Sequence, residues 1–236
     1  MKKITWVPAL VLAAAAAAPG TSMAGGSGNI AYVSDYVFRG IFQSASSASA
    51  GADYSTDSGF YVGTWWADVG QGTETDIYLG YTGGNDTITY KVGYTSYIYL
   101  DDFDGDYNEV NLGLTAGIFA LDVAIGTYNP LNSVFGNLGD QDYTFTSITL
   151  TPEMGPYYKY GIWGGDYEKN ILFPNFKTSP ASGDGDYLEV GYTWSFEDQG
   201  IDLSAALIHS NDLIVSGGST GDYTLTFGIK KTLAPK

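Results

Sequence analysis

Arg39 is the only arginine in the chain, and His209 is the only histidine. Asp35 stands four residues before Arg39, and in an extended segment both side chains leave on the same side, because alternate residues share a face. The same parity puts Asp76, Lys91, Glu109 or Asn111, Asp122, Lys159, Glu189 and Asp202 on one common face of their runs. Charges of both signs on an enclosed face have two uses. They can line a polar constriction that passes small hydrophilic solutes, as charged rings do in pores. They can also pair with one another and satisfy their own burial, which leaves a plugged, purely structural interior. Recognition of acidic sugars would call for a ladder of arginines, since guanidinium forks match carboxylates. One arginine and a few lysines do not make such a ladder, and the net charge of −16 tilts the reading toward neutral or cationic solutes.

Catalytic chemistry finds less support. His209 and Ser210 are neighbours, so on a strand they point to opposite faces and do not meet as base and nucleophile. Gly217-Gly218-Ser219-Thr220-Gly221 has the spacing of a nucleophile elbow, but that motif needs a strand-to-helix turn, and Tyr223 to Ile229 reads as a strand. With one His and no Cys, a multi-histidine or thiolate metal site has no ligands. Asp101-Asp102-Phe103-Asp104-Gly105-Asp106 has the density of a calcium loop. Counted from Asp102, however, Tyr107 falls where the sharp-turn glycine belongs and Gly113 where the bidentate glutamate belongs. This run, the pair Asp140 and Asp142, and the pair Asp184 and Asp186 read as solvated loop charge, with weak divalent-cation binding at the outer rim as the alternative. No cofactor is implied. A lipid hydrolase stays the least supported alternative.

The elements that carry these residues are strands. From Asn29 onward, twelve runs place apolar residues at every second position, the period of a strand. Val110, Leu112, Leu114, Ala116 and Ile118 alternate with Asn111, Gly113, Thr115 and Gly117; Leu188 to Phe196 and Tyr223 to Ile229 repeat the pattern. Short connections are expected near Thr56-Asp57-Ser58, Gly83-Gly84-Asn85, Ala116-Gly117, Glu153-Met154-Gly155 and Asp198-Gln199-Gly200. Longer ones are expected at Gln43–Ala48, Gly70–Thr73, Asp101–Asp106, Asn129–Asp140, Glu168–Asp184 and Asn211–Gly221. An even strand number with one short-turned and one long-looped rim is the layout of a bacterial outer-membrane barrel. Spanning strands tilted in a bilayer need about 9–11 residues, which these runs supply. Tyr97, Tyr99, Tyr128, Tyr157, Tyr187 and Tyr223, near strand ends, suit the two aromatic interface belts of such a barrel. A soluble sandwich or lipocalin-like barrel is the alternative.

Composition narrows the classes further. Ten basic against 26 acidic residues argue against a nucleic-acid partner, which needs a basic footprint. The 20 Tyr and 11 Phe argue against disorder. Met1-Lys2-Lys3, the apolar run from Ile4 to Ala18 and Ser22-Met23-Ala24 form the three regions of a secretory signal peptide. Residues 1–24 are therefore predicted to be cleaved, leaving 25–236 as one barrel domain.

Ser34-Asp35-Tyr36-Val37-Phe38-Arg39-Gly40-Ile41, followed by Gln43-Ser44, resembles the opening motif of the TorF-type porin family of proteobacterial outer-membrane β-barrel proteins. Phe60-Tyr61-Val62-Gly63-Thr64-Trp65 and Asp76-Ile77-Tyr78 with Gly80-Tyr81 extend the likeness. The resemblance implies an outer-membrane β-barrel with a channel role and no settled substrate. Such barrels commonly end on an aromatic residue, whereas this chain ends Thr232-Leu233-Ala234-Pro235-Lys236; Leu233 keeps the outward parity of Phe227 and Ile229. The reading is an all-β, antiparallel, up-and-down transmembrane β-barrel of about 12 strands. Asp35, Arg39, Asp76, Lys91, Asp122, Lys159, Glu189 and Asp202 are its pore-lining candidates. Its expected partners are outer-membrane lipid, lipopolysaccharide and a small hydrophilic solute. The alternative is a structural or adhesive barrel acting through acidic, aromatic surface loops.

Overall fold

The computed structural model describes residues 25–101, 103–130, 139–165, 185–211 and 222–233. They form a closed antiparallel barrel in which each strand pairs with its sequence neighbours and the last pairs with the first. The strands are β1 (Gly25–Phe38), β2 (Ile41–Ser55), β3 (Phe60–Asp68), β4 (Thr73–Gly84), β5 (Ile88–Tyr99) and β6 (Asp106–Ala116). They continue as β7 (Phe119–Asn129), β8 (Gln141–Leu150), β9 (Tyr157–Gly165), β10 (Asp186–Phe196), β11 (Ile201–Ser210) and β12 (Asp222–Leu233). A short 3-10 turn, Glu197–Gln199, joins β10 to β11.

Alternation decides which face is which. On β6, Val110, Leu112 and Leu114 are exposed on the outside, while Glu109 is buried within. Val92 on β5, Leu121 on β7 and Leu225 on β12 are likewise exposed. A continuous apolar exterior around a polar interior inverts the pattern of a soluble barrel, and hydrocarbon is the solvent that satisfies it. Closure pairs the first and last strands through Gly28↔Leu233 to Val33↔Gly228, so no open edge remains at that level of the wall. Leu233 faces outward, half exposed.

Five short turns gather on one rim, as the spacing predicts. The other rim departs from expectation in its first connection. Gln43–Ala48 is not a long loop; it lies within β2, and the turn between β1 and β2 is only Arg39-Gly40. This Ser/Ala-rich stretch has a linker's composition, yet Ser44 and Ser47 are buried on it while Ala45, Ser46 and Ala48 are exposed. The connections between β3 and β4 and between β5 and β6 are also brief. The predicted long connections Asn129–Asp140, Glu168–Asp184 and Asn211–Gly221 lie largely outside the described residues, and the predicted signal peptide lies wholly outside them.

The aromatic belt expectation needs correction at five of its six tyrosines. Tyr97, Tyr128, Tyr157 and Tyr187 are buried in the interior, and Tyr99 packs against that core; Tyr223 faces outward. Tyr97 and Tyr128 face inward beside Tyr107, which stands opposite both; for Tyr157 and Tyr187, as for Tyr78 and Tyr143, the neighbour is a glycine. Tyr143 stands opposite Gly126, Tyr78 opposite Gly63, Tyr157 opposite Gly191 and Tyr187 opposite Gly161. Each ring lies flat over the missing side chain of its neighbour: a Cβ on Gly126 would stand 2.3 Å from Tyr143 Cζ, and one on Gly161 2.3 Å from Tyr187 Cε1. Glycine thus lets a narrow barrel hold large rings inside.

Candidate functional site

The first hairpin leaves the wall. β1 pairs with β12 only as far as Val33, and β2 pairs with β3 only from Ser49 onward. Beyond those points the two strands pair only with each other, from Val33↔Ser47 to Phe38↔Ile41, forming a two-stranded tongue that crosses the interior. At its root, Thr226 Oγ1 donates to the Asp35 carbonyl at 2.8 Å, Phe227 N donates to Ser34 Oγ, and Ser44 and Ser47 hydroxyls donate to the Asp68 carbonyl. At its tip, Trp163 Nε1 on β9 donates to the Arg39 carbonyl at 3.0 Å, and Ser210 Oγ on β11 donates to the Gly40 carbonyl at 2.6 Å. The turn holds positive φ at both residues, 51° at Arg39 and 83° at Gly40. Two-residue hairpins favour that geometry, but a long side chain at its first position is uncommon. The contacts of the Arg39 side chain hold it there.

Those contacts form a latch. The guanidinium makes a parallel fork to Glu109 on β6, with Nη1 to Oε2 at 2.9 Å and Nη2 to Oε1 at 2.7 Å. It lies 4.5 Å from the Phe145 ring centroid, 4.7 Å from Phe38 and 5.6 Å from Trp163, within cation–π range. The side chains of Arg39 and Glu109 are 10% and 0% exposed. Glu109 has further donors: Tyr97 OH at 2.8 Å, Asn111 Nδ2 at 2.6 Å and Tyr143 OH at 2.9 Å. Tyr143 reaches Glu109 by lying across Gly126, the residue opposite both of them. The same three-strand row recurs where Tyr78 lies across Gly63 to donate to Asp53.

Below the tongue a cavity of about 550 Å³ runs toward the short-turn rim. Its lining reaches from Thr89, Gly117 and Thr151 up to Arg39, Tyr97 and Phe145. Of the eight sequence candidates, Asp35, Arg39, Lys91, Asp122, Lys159 and Glu189 line it. Lys91 Nζ stands 3.9 Å from Asp122 Oδ1, Lys159 faces Glu189 across the β9–β10 register, and Tyr157 OH donates to Glu189 at 2.5 Å. Asp35 accepts from Ser34 Oγ. Asp76 is buried beside Glu74 on β4 and lies outside the cavity lining, with Tyr36 OH donating to Glu74 at 2.9 and 3.0 Å. Asp202 sits opposite Lys230 near the short-turn rim, and only Lys230 of that pair reaches the cavity.

Sequence reasoning missed Lys230, Glu74 and the aromatic half of the latch, Phe145 and Trp163. Asp35 shares the Arg39 face in sequence, but the acid that meets Arg39 is Glu109. The available signal was strand parity: Lys230 alternates with the outward Phe227 and Ile229, and Glu74 shares the parity of Asp76. His209 and Ser210 do point apart: His209 meets Tyr223 on the outer face, with ring centroids 4.5 Å apart, while Ser210 serves the tongue. Asp104 of the acidic loop accepts from Tyr107 OH and Tyr128 OH. Among the described residues, no group of three or more His, Cys, Asp or Glu is arranged to hold a metal ion. The Gly217–Gly221 motif lies outside the described residues.

A model of the Gcw_chp family, bacterial proteins of unknown function, matches residues 14–232. The chain belongs to the Gcw_chp family. No curated protein matches this family member by sequence. Among solved structures, a KdgM porin superposes with a TM-score of 0.53 at 8% identity, covering 87% of this chain and 98% of its own. A NanC porin gives 0.54 at 8% identity, with 90% and 100% covered. A KdgM porin in complex with disordered oligogalacturonate gives 0.51 at 7% identity, with 89% and 99% covered. At such identities the likeness is one of fold: this Gcw_chp barrel has the architecture of porins.

Proposed function

We propose that the protein is an outer-membrane porin-like channel for passive diffusion of small hydrophilic solutes, neutral or cationic, exported with residues 1–24 removed. The observation that carries this reading is the cavity of about 550 Å³ inside an apolar-walled barrel, where Lys91, Asp122, Lys159, Glu189 and Lys230 stand among hydroxyl and apolar side chains. The porin architecture of its structural neighbours supports it, as does the likeness of Ser34 to Ser44 to TorF-type porins. The tongue narrows the end opposite the short-turn rim, so passage requires its tip to withdraw from Glu109. Lumenal lysines and acids nearly balance, and the single arginine is already engaged by Glu109. An oligogalacturonate-like polyanion therefore meets no free guanidinium in the tongue or the described wall.

The test is efflux from proteoliposomes loaded with a small polyol or an amine cation, comparing wild type with Glu109→Gln. Faster efflux from the variant supports a gated channel. A second reading, a plugged structural barrel, draws on the buried Arg39–Glu109 pair; equal and background efflux from both folded proteins would favour it.

A further inference from the structure

We propose that the wall around the Arg39 side chain is a binding site for guanidinium-bearing organic cations, occupied in the closed barrel by the chain's own arginine. The site belongs to the wall. Glu109 is held by Tyr97, Asn111 and Tyr143, three neutral donors from β5, β6 and β8, and Asn111 is itself fixed by Thr95 Oγ1 at 2.7 Å. With Arg39 removed, the carboxylate keeps its orientation, and both of its oxygens still face the position of a planar fork. Phe145 and Trp163 supply aromatic faces at 4.5 and 5.6 Å from that position.

A buried carboxylate between aromatic faces selects a cation that is planar, delocalised and weakly hydrated. Guanidinium meets all three conditions, whereas an ammonium offers a compact, strongly hydrated charge that cannot fork. Arg39, Tyr97, Asn111 and Phe145 line the cavity beneath the tongue, with Glu109 fully buried behind them, so a solute in the lumen reaches the carboxylate from below where Arg39 gives way. Such a solute competes with Arg39 for Glu109 and thereby releases the tip of the tongue. This proposal rests on the channel reading insofar as a solute must enter the lumen.

The experiment uses Arg39→Ala, which empties the cage, refolded in detergent. Its heat-unfolding midpoint is followed by gel mobility with ethylguanidinium or ethylammonium at equal ionic strength. Ethylguanidinium should raise the midpoint saturably, by about 3–5 °C at roughly ten times its dissociation constant. Ethylammonium should move it far less, and the double variant Arg39→Ala/Glu109→Gln should lose the guanidinium response. Recovery of folded Arg39→Ala only when ethylguanidinium is present during refolding would also support the site. An equal response to both cations, or a response retained in the double variant, would overturn it. No response in folded Arg39→Ala would do the same, as would failure to refold with either cation while Arg39→Lys folds. Because this readout needs no conductance, a barrel silent in a bilayer that still shows the selective shift keeps the site and removes the channel.

Discussion

Replacing Glu109 by Gln removes the counter-charge of a guanidinium whose side chain is 10% exposed, next to a carboxylate that is fully buried. Breaking a buried pair by removing one partner costs about 3–5 kcal/mol, because the other charge stays behind unpaired. Three facing aromatic rings and the Gln oxygen keep part of the attraction, so the lower figure applies. The wall does not unfold to relieve this cost; the tongue withdraws and rehydrates Arg39. A shift of roughly 3 kcal/mol in the closed-to-open equilibrium multiplies the open population by about a hundredfold or slightly more, at a factor of ten per ~1.4 kcal/mol. The chain carries its own reporter. Arg39 is its sole arginine, so an arginine-specific protease has one site, the Arg39-Gly40 bond, buried at the tip. Where opening is fast relative to cleavage, the cleavage rate follows the open population. Cleavage of folded Glu109→Gln, followed by mass spectrometry, should therefore exceed that of wild type by about two orders of magnitude. Rates within threefold of each other, in proteins of equal folded fraction, would refute the latch.

Further outcomes follow from neighbouring contacts. Trp163→Phe keeps the ring but removes the donor to the Arg39 carbonyl; a lost hydrogen bond of about 1 kcal/mol should speed cleavage at Arg39 roughly fivefold. Gly126→Ala places a Cβ 2.3 Å from Tyr143 Cζ and pushes that ring off Glu109. Overpacking of about 2 kcal/mol should lower the heat-unfolding midpoint by roughly 4–8 °C, and an unchanged midpoint would contradict the Tyr-over-Gly packing. Val92 is 44% exposed on the outer face. If that face meets lipid, Val92→Lys should destabilise the barrel in bilayers by up to about 2–4 kcal/mol in urea unfolding. No cost in lipid would argue for a wetted exterior.

Much of the barrel is legible in alternation, because lipid outside and polar groups inside impose a period of two on every wall strand. Val110 to Ala116 and Leu188 to Phe196 declare their faces without help. The tongue is not legible in the same way: beyond Val33 and before Ser49 its two strands pair only with each other and not with the wall, so no regular apolar face is imposed, and their Ser and Ala mimic a loop. Arg39 was recognisable by its rarity, and Glu109 by its parity. Their meeting depends on the hairpin folding across the interior, since they stand 70 positions apart in sequence. Position near a strand end says nothing about face, so the belt expectation fails at the inward tyrosines. Register with Gly161 and Gly191 marks Tyr187 and Tyr157 as inward; Tyr97 and Tyr128 carry no such mark and are placed by packing around Tyr107.

The central claim is that a solute path runs through this barrel and that the Arg39 tongue closes it. Single-channel conductance in a planar bilayer, with wild type beside Glu109→Gln, tests that claim directly. The expected result is rare or small steps in wild type and frequent, larger, cation-preferring steps in the variant. Silence from both proteins, each shown by heat-modifiable gel mobility to be folded and inserted, would contradict it.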